Sequence, residues 1–159
     1  MNQAAPLDLV DHISTFADTG NSYAAYPLLD ALRADPRPEA QSLAVRVVRH
    51  LGDNRLSDAM GLRLWRKHPN HPEAMVVYAR ILADRKGAYR GWRWMESACM
   101  PDDAPPAVLA EWHASRATLA GALRDWETAA SLFSTALSLA SEDPWIHVLH
   151  AHVFERQDR

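Results

Sequence analysis

The tripeptide Pro38-Glu39-Ala40 returns as Pro72-Glu73-Ala74, 34 residues further along, and each copy follows a proline that ends the preceding helix, Pro36 and Pro69. A chain that repeats at this period is assembled from helix pairs, none of which can bury its apolar face alone. Such pairs are stable only when stacked. Stacked pairs present an extended surface, so the period points to binding rather than to chemistry. The 159 residues hold about four units of this length.

Helical spacing of apolar residues runs throughout, and no stretch alternates as a strand would. The spacing predicts helices over residues 6–18, 22–34, 38–51, 54–67, 72–85, 88–99, 106–121, 125–140 and 144–158. Pro38, Pro72 and Pro144 suit first helical positions, where the missing N–H costs nothing. Asp143 precedes Pro144 as an N-cap. Gly20, Gly52 and Gly87 fall where the first helix of a pair should end in a left-handed turn. The stretch from Met100 to Pro106 contains three prolines and cannot continue a helix. Trp92 and Trp94 are two residues apart and point to opposite sides of one helix. Both can be covered only if that helix has neighbours on two sides, as stacking provides.

These residues resemble the tetratricopeptide repeat. Its pattern has small residues at the eighth, twentieth and twenty-seventh places, a glycine near the fifteenth, aromatics at the seventeenth and twenty-fourth, and a proline near the thirty-second. The copy beginning at Ala110 supplies Ala117, Trp126, Ala129, Phe133 and Ala136. It departs from the pattern at Arg124, which stands for glycine, and at Ser141, which stands for proline. The copy from Pro72 supplies Ala79, Gly91 and Ala98. The copy from Pro38 supplies Val45, Gly52, Ser57 and Pro69, and a degenerate first copy supplies Ile13, Gly20 and Ala25. The resemblance implies an all-α, right-handed α-solenoid of about four and a half helix-turn-helix repeats. It forms a single domain over residues 1–159, with units near 6–37, 38–71, 72–109 and 110–143 and a partial unit over 144–159.

The resemblance also implies that the first helices line a concave groove. The groove places then bring Arg46, Arg49, His50 and Arg80 to its surface, beside Glu39, Ser42, Glu73, Val76, Ala83 and Asp84. Guanidinium forks bind carboxylates in a fixed plane, so the expected partner is a protein or peptide segment with a preference for acidic groups. The alternative is that these arginines are solvated or paired with nearby Asp and Glu. The Lys and Asn pattern of members that clamp chaperone tails is missing.

Charge is banded along the chain. Residues 1–32 carry four acids and no Lys or Arg, residues 33–93 carry thirteen bases against six acids, and residues 94–159 carry four bases against ten acids. The net charge of −3 argues against general nucleic-acid affinity. No apolar run reaches membrane-spanning length, and the N-terminus shows neither the basic nor the apolar segment of a secretory signal. A cytoplasmic location is expected. Cys99 is the only cysteine, and a small buried hydrophobe is its expected role.

No phosphate loop, nucleophile elbow or paired-carboxylate context is present, so no enzyme activity and no cofactor are expected. His147 and His150 share a helical face at three-residue spacing, but a metal site needs a third ligand and His152 points elsewhere. No metal is expected there, and His68 and His71 flank a turn in a structural role. Trp145, Ile146, Leu149, Val153 and Phe154 form an apolar last helix with no second helix to cover it. This leads to the expectation that the chain is the N-terminal part of a longer protein, or that the helix pairs with another copy in a homodimer, or that it docks back on its own array. The functional expectation is a protein–protein interaction scaffold. The alternatives are a recruitment module of a larger bacterial enzyme, a self-assembly module and an RNA-binding repeat.

Overall fold

The computed structural model describes residues 22–157, so the helix expected over 6–18 and the turn at Gly20 lie outside the described residues. Among those described, every regular element is helical. The order is α1 (Ser22–Ala25), a 3-10 turn (Tyr26–Leu28), α2 (Leu29–Ala34), α3 (Pro38–His50), α4 (Asn54–Lys67), α5 (Pro72–Lys86), α6 (Ala88–Ser97), α7 (Pro106–Ala122), α8 (Trp126–Leu139) and α9 (Pro144–Arg156). One difference from expectation is the single helix read over 22–34, which divides at Pro27. Proline there has no N–H for the i−4 carbonyl, and the chain tightens into a 3-10 turn before resuming as α2.

The helix ends follow local chemistry. Asp53, Asp125 and Asp143 each cap a helix by accepting a backbone N–H, from Leu56 at 3.0 Å, Thr128 at 3.2 Å and Trp145 at 2.8 Å. Gly52 and Gly87 close α3 and α5 with φ of 87° and 88°, a region open to glycine without strain. α7 ends the same way, but Arg124 occupies the left-handed position with φ of 66°. An L side chain there costs roughly 1–2 kcal/mol. The departure from the repeat pattern at Arg124 is therefore a strained backbone, and not a different turn.

Contacts divide the chain into two compact units, residues 1–77 and 78–159, with the division falling inside α5. In the first unit α3 packs on α4 and α2. Leu29, Leu32, Leu43, Val47 and Val48 form its centre, closed by Leu56 and Met60. Ser57 is fully buried, and its hydroxyl donates to the Val45 carbonyl at 3.0 Å. It holds α4 against α3 where the repeat pattern has alanine, and the hydrogen bond offsets burial of the hydroxyl.

In the second unit α7 packs on α6, α8 and α9. Ala110, Ala114, Ala117 and Ala120 lie along α7 at helical spacing and meet Ala129, Phe133 and Ala136 of α8. Small residues at the contact let the axes approach closely. Trp94 sits edge-on between Tyr78 and Trp112, at centroid distances of 4.9 and 6.0 Å. Trp92, on the other side of α6, packs on the α7–α8 core with the Arg116 guanidinium 5.3 Å above its ring. Both tryptophans are half-buried, and both meet α7, Trp94 at Trp112 and Trp92 at Arg116.

Two expectations need correction. Cys99 is exposed, not buried. α6 ends at Ser97 and the chain turns extended at Ala98, which carries the thiol past the helix into solvent. The last helix is also partly covered, since Ile146 and Val153 are buried against α7 and α8, while Trp145, Val148 and Phe154 are exposed.

Two substitutions test this packing by thermal or denaturant unfolding. Arg124→Gly relieves the left-handed strain and should stabilise the chain by about 0.5–1 kcal/mol after the entropy cost of glycine. Gly91→Ala should destabilise it by about 1–3 kcal/mol, because the added Cβ would lie 2.8 Å from Ala83 Cβ and 3.2 Å from Ala83 Cα.

Candidate functional site

Within each unit, neighbouring helices meet through polar side chains. In the first unit, the Ser42 hydroxyl of α3 donates to Glu73 of α5 at 2.8 Å. Glu39 of α3 lies 3.0 Å from His71 Nε2 at the start of α5. In the second unit, Arg80 of α5 approaches Glu111 of α7 at 3.9 Å. Glu39, Ser42 and Glu73, expected on the groove surface, are thus engaged with neighbouring helices.

The four basic residues expected at the groove fall in both units. Arg46, Arg49 and His50 lie on α3 of the first, and Arg80 lies on α5 of the second. Arg46 is half-buried and His50 is exposed. Arg49 turns toward Asp58 of α4 at 4.0 Å, a contact inside its own hairpin. Arg80 is a different case. It lines a cleft of about 120 Å³ whose floor is Met95 and Leu119 and whose walls include Glu111, Ser115, Trp145 and Leu149. Asp84, one turn after Arg80, lines the same cleft. One guanidinium accompanied by two carboxylates leaves this lining slightly acidic. Its surface is mainly apolar, suited to an aliphatic or aromatic side chain with a polar group at the rim.

The helices that build this cleft explain what the sequence missed. α5, α7 and α9 each contribute a wall and α6 contributes Met95. Glu111 and Thr118 occupy, in the copy from Ala110, the same places that single out Glu73 and Arg80 in the copy from Pro72. Extending the pattern by one copy would have found them. Trp145 stands at the second place of the partial copy from Pro144, as Glu73 and Glu111 do in theirs, so one further extension finds it too, whereas Leu149 lies outside the groove places and its part in the cleft depends on how α9 leans on α7.

Each of the paired histidines has its own partners. His147 Nε2 lies 2.7 Å from the Ser141 carbonyl. His150 lies between Phe133 and Phe154, with centroids 4.5 and 4.4 Å away and ring planes tilted by 36° and 44°. Among the described residues, no group of three His, Cys, Asp or Glu side chains is placed to hold a metal ion. Burial, aided by the nearby His147, pushes the His150 pKa below its ordinary 6.5. Burial likewise lowers His113, helped by Arg116, and His68, helped by Lys67 and His71 against the opposing pull of Glu39.

A histidine whose folded pKa is depressed binds its proton more readily when unfolded. Its stabilising effect is complete above about 6.5 and is lost as pH falls toward the folded value. Thermal melts between about pH 7.5 and about pH 5 should therefore show falling stability, and His150→Phe should reduce that slope. An unchanged slope in the variant would assign the loss to other groups.

No helix among the described residues is long and apolar enough to cross a membrane. No family model matches the chain, and no curated protein and no solved structure matches it.

Proposed function

We propose that the chain is a right-handed solenoid of tetratricopeptide-like helix pairs that serves as a protein-interaction module. Its second unit takes an apolar side chain of a partner segment into the cleft beside Arg80. The observation that carries this reading is the cleft itself, with an apolar floor and walls drawn from the first helices of three successive pairs. Side chains fixed on packed helices lose little freedom on binding, so a flexible segment can be held without ordering its receptor. The contacts between successive first helices, Ser42 with Glu73 and Arg80 with Glu111, support the stacking on which such a surface depends.

Arg80 shares its cleft with Glu111 and Asp84 and is better matched to a backbone carbonyl or a neutral polar group at the rim. The module carries out no reaction of its own.

Selection of displayed peptides on the full chain tests the proposal. It should enrich sequences with one aromatic or aliphatic anchor. Ser115→Trp, which fills the cleft from α7, should weaken the selected peptides by at least about tenfold, roughly 1.4 kcal/mol. Circular dichroism of the variant confirms that the helices persist. Equal affinity for the two proteins, or selection of peptides without an anchor, ends the reading.

A further inference from the structure

A second cavity, of about 210 Å³, lies wholly within the first unit between α2, α3 and α4. Arg33 reaches it from the end of α2, Gln41 from α3, and Met60, Arg63, Leu64 and Lys67 from α4. No carboxylate is among these six. Arg63 and Lys67 are one helical turn apart, so their side chains rise from the same face of α4. Leu64, buried to 2% exposure, forms the apolar floor with Met60. The Gln41 amide donates to the Asp35 carbonyl at 2.7 Å, which fixes that wall and leaves the amide oxygen as its only acceptor. Among the described residues, Asp30 is the one acid paired with a lining residue. It lies 3.5 Å from Arg33, and its side chain is 95% exposed. A surface pair of this kind contributes little and can be exchanged for a stronger anion.

Three like charges around one cavity repel each other. They are stabilised together by an anion that carries more than one charge and several acceptors. A phosphate monoester meets both conditions, since it is close to a dianion near neutral pH and offers three acceptor oxygens to guanidinium forks and an ammonium. The apolar floor adds a second requirement. Met60 and Leu64 gain nothing from a bare ion but gain from covering the nonpolar body to which a phosphate is esterified. The cavity is smaller than the range typical of drug-sized ligands, so it suits one phosphorylated group rather than a nucleotide or a long chain.

We infer that the first unit carries an anion site for a phosphate monoester, with Arg33, Arg63 and Lys67 binding the phosphate and Met60 and Leu64 covering its organic body. The site is separate from the cleft beside Arg80 and does not depend on the reading given for that cleft. The same chemistry is offered by a free phosphorylated metabolite and by a phosphorylated side chain of a peptide.

Titration of the full chain with phenyl phosphate, followed by amide resonances, tests the site. Gln41, Arg63, Leu64 and Lys67 should shift together and saturate. Inorganic phosphate should bind more weakly because it leaves the floor uncovered, and benzoate more weakly still because it carries a single charge. Arg63→Ala/Lys67→Ala changes only exposed positions and should cost at least about tenfold in affinity for phenyl phosphate, whereas Arg66→Ala on the same helix should leave it unchanged. Added salt should weaken binding. A phosphoserine peptide that binds more tightly than phenyl phosphate assigns the site to a phosphorylated chain, and the reverse order assigns it to a free metabolite. Scattered shifts without saturation, benzoate binding as tightly as phenyl phosphate, or equal affinity in the Arg63/Lys67 variant overturns the inference.

Discussion

The second unit depends on how closely its helices are allowed to approach. At Gly91 the neighbouring α5 lies so near that an added methyl would meet both the side chain and the backbone of Ala83. At Gly121 the space a Cβ would take is filled by Val153, whose Cγ1 lies 2.7 Å from the ideal position. Between these two glycines runs the alanine stripe of α7. Close packing of this kind forfeits stability quickly when a single methylene is added or removed. It also fixes the geometry of the cleft, because Trp145 and Leu149 are placed by the α7–α9 contact and Met95 by the α6–α7 contact.

Several polar groups at the helix contacts are matched with partners. Ser57 is buried with a carbonyl in reach, and Ser42 has a carboxylate. Asp35, fully buried between α2 and α3, accepts from the Arg37 guanidinium at 2.7 Å and from the Arg37 backbone N–H at 2.8 Å. Hydrogen bonding to Asp35 holds the Arg37 guanidinium above its ordinary pKa. Such pairs add little where they are solvated, but each leaves a costly orphan if one member is removed. They therefore specify which faces meet more than they raise stability.

The two cavities differ in the chemistry that could fill them. The cleft beside Arg80 sets one cation against two acids over an apolar floor, which favours a nonpolar anchor. The cavity at Arg63 gathers three cations around a smaller apolar patch, which favours a multiply charged anion. The proposed repeat architecture would permit this division, because in such arrays each pair contacts mainly its neighbours and can diverge in surface chemistry without disturbing the rest.

Helix positions and helix ends were legible because they depend on neighbouring residues. Pro38, Pro72 and Pro144 start helices, Asp143 caps one, and Gly52 and Gly87 close two, each through interactions within a few residues. Tertiary contacts decided everything else. The partial covering of α9 turns on which helix lies opposite. So does the fate of the arginines. Arg46, Arg49 and Arg80 look alike along the chain, yet Asp58 draws Arg49 into its own hairpin while Glu111 holds Arg80 at the rim of a cleft. A side chain's spacing sets the face from which it leaves its helix, but the charge it meets there belongs to residues far away in sequence.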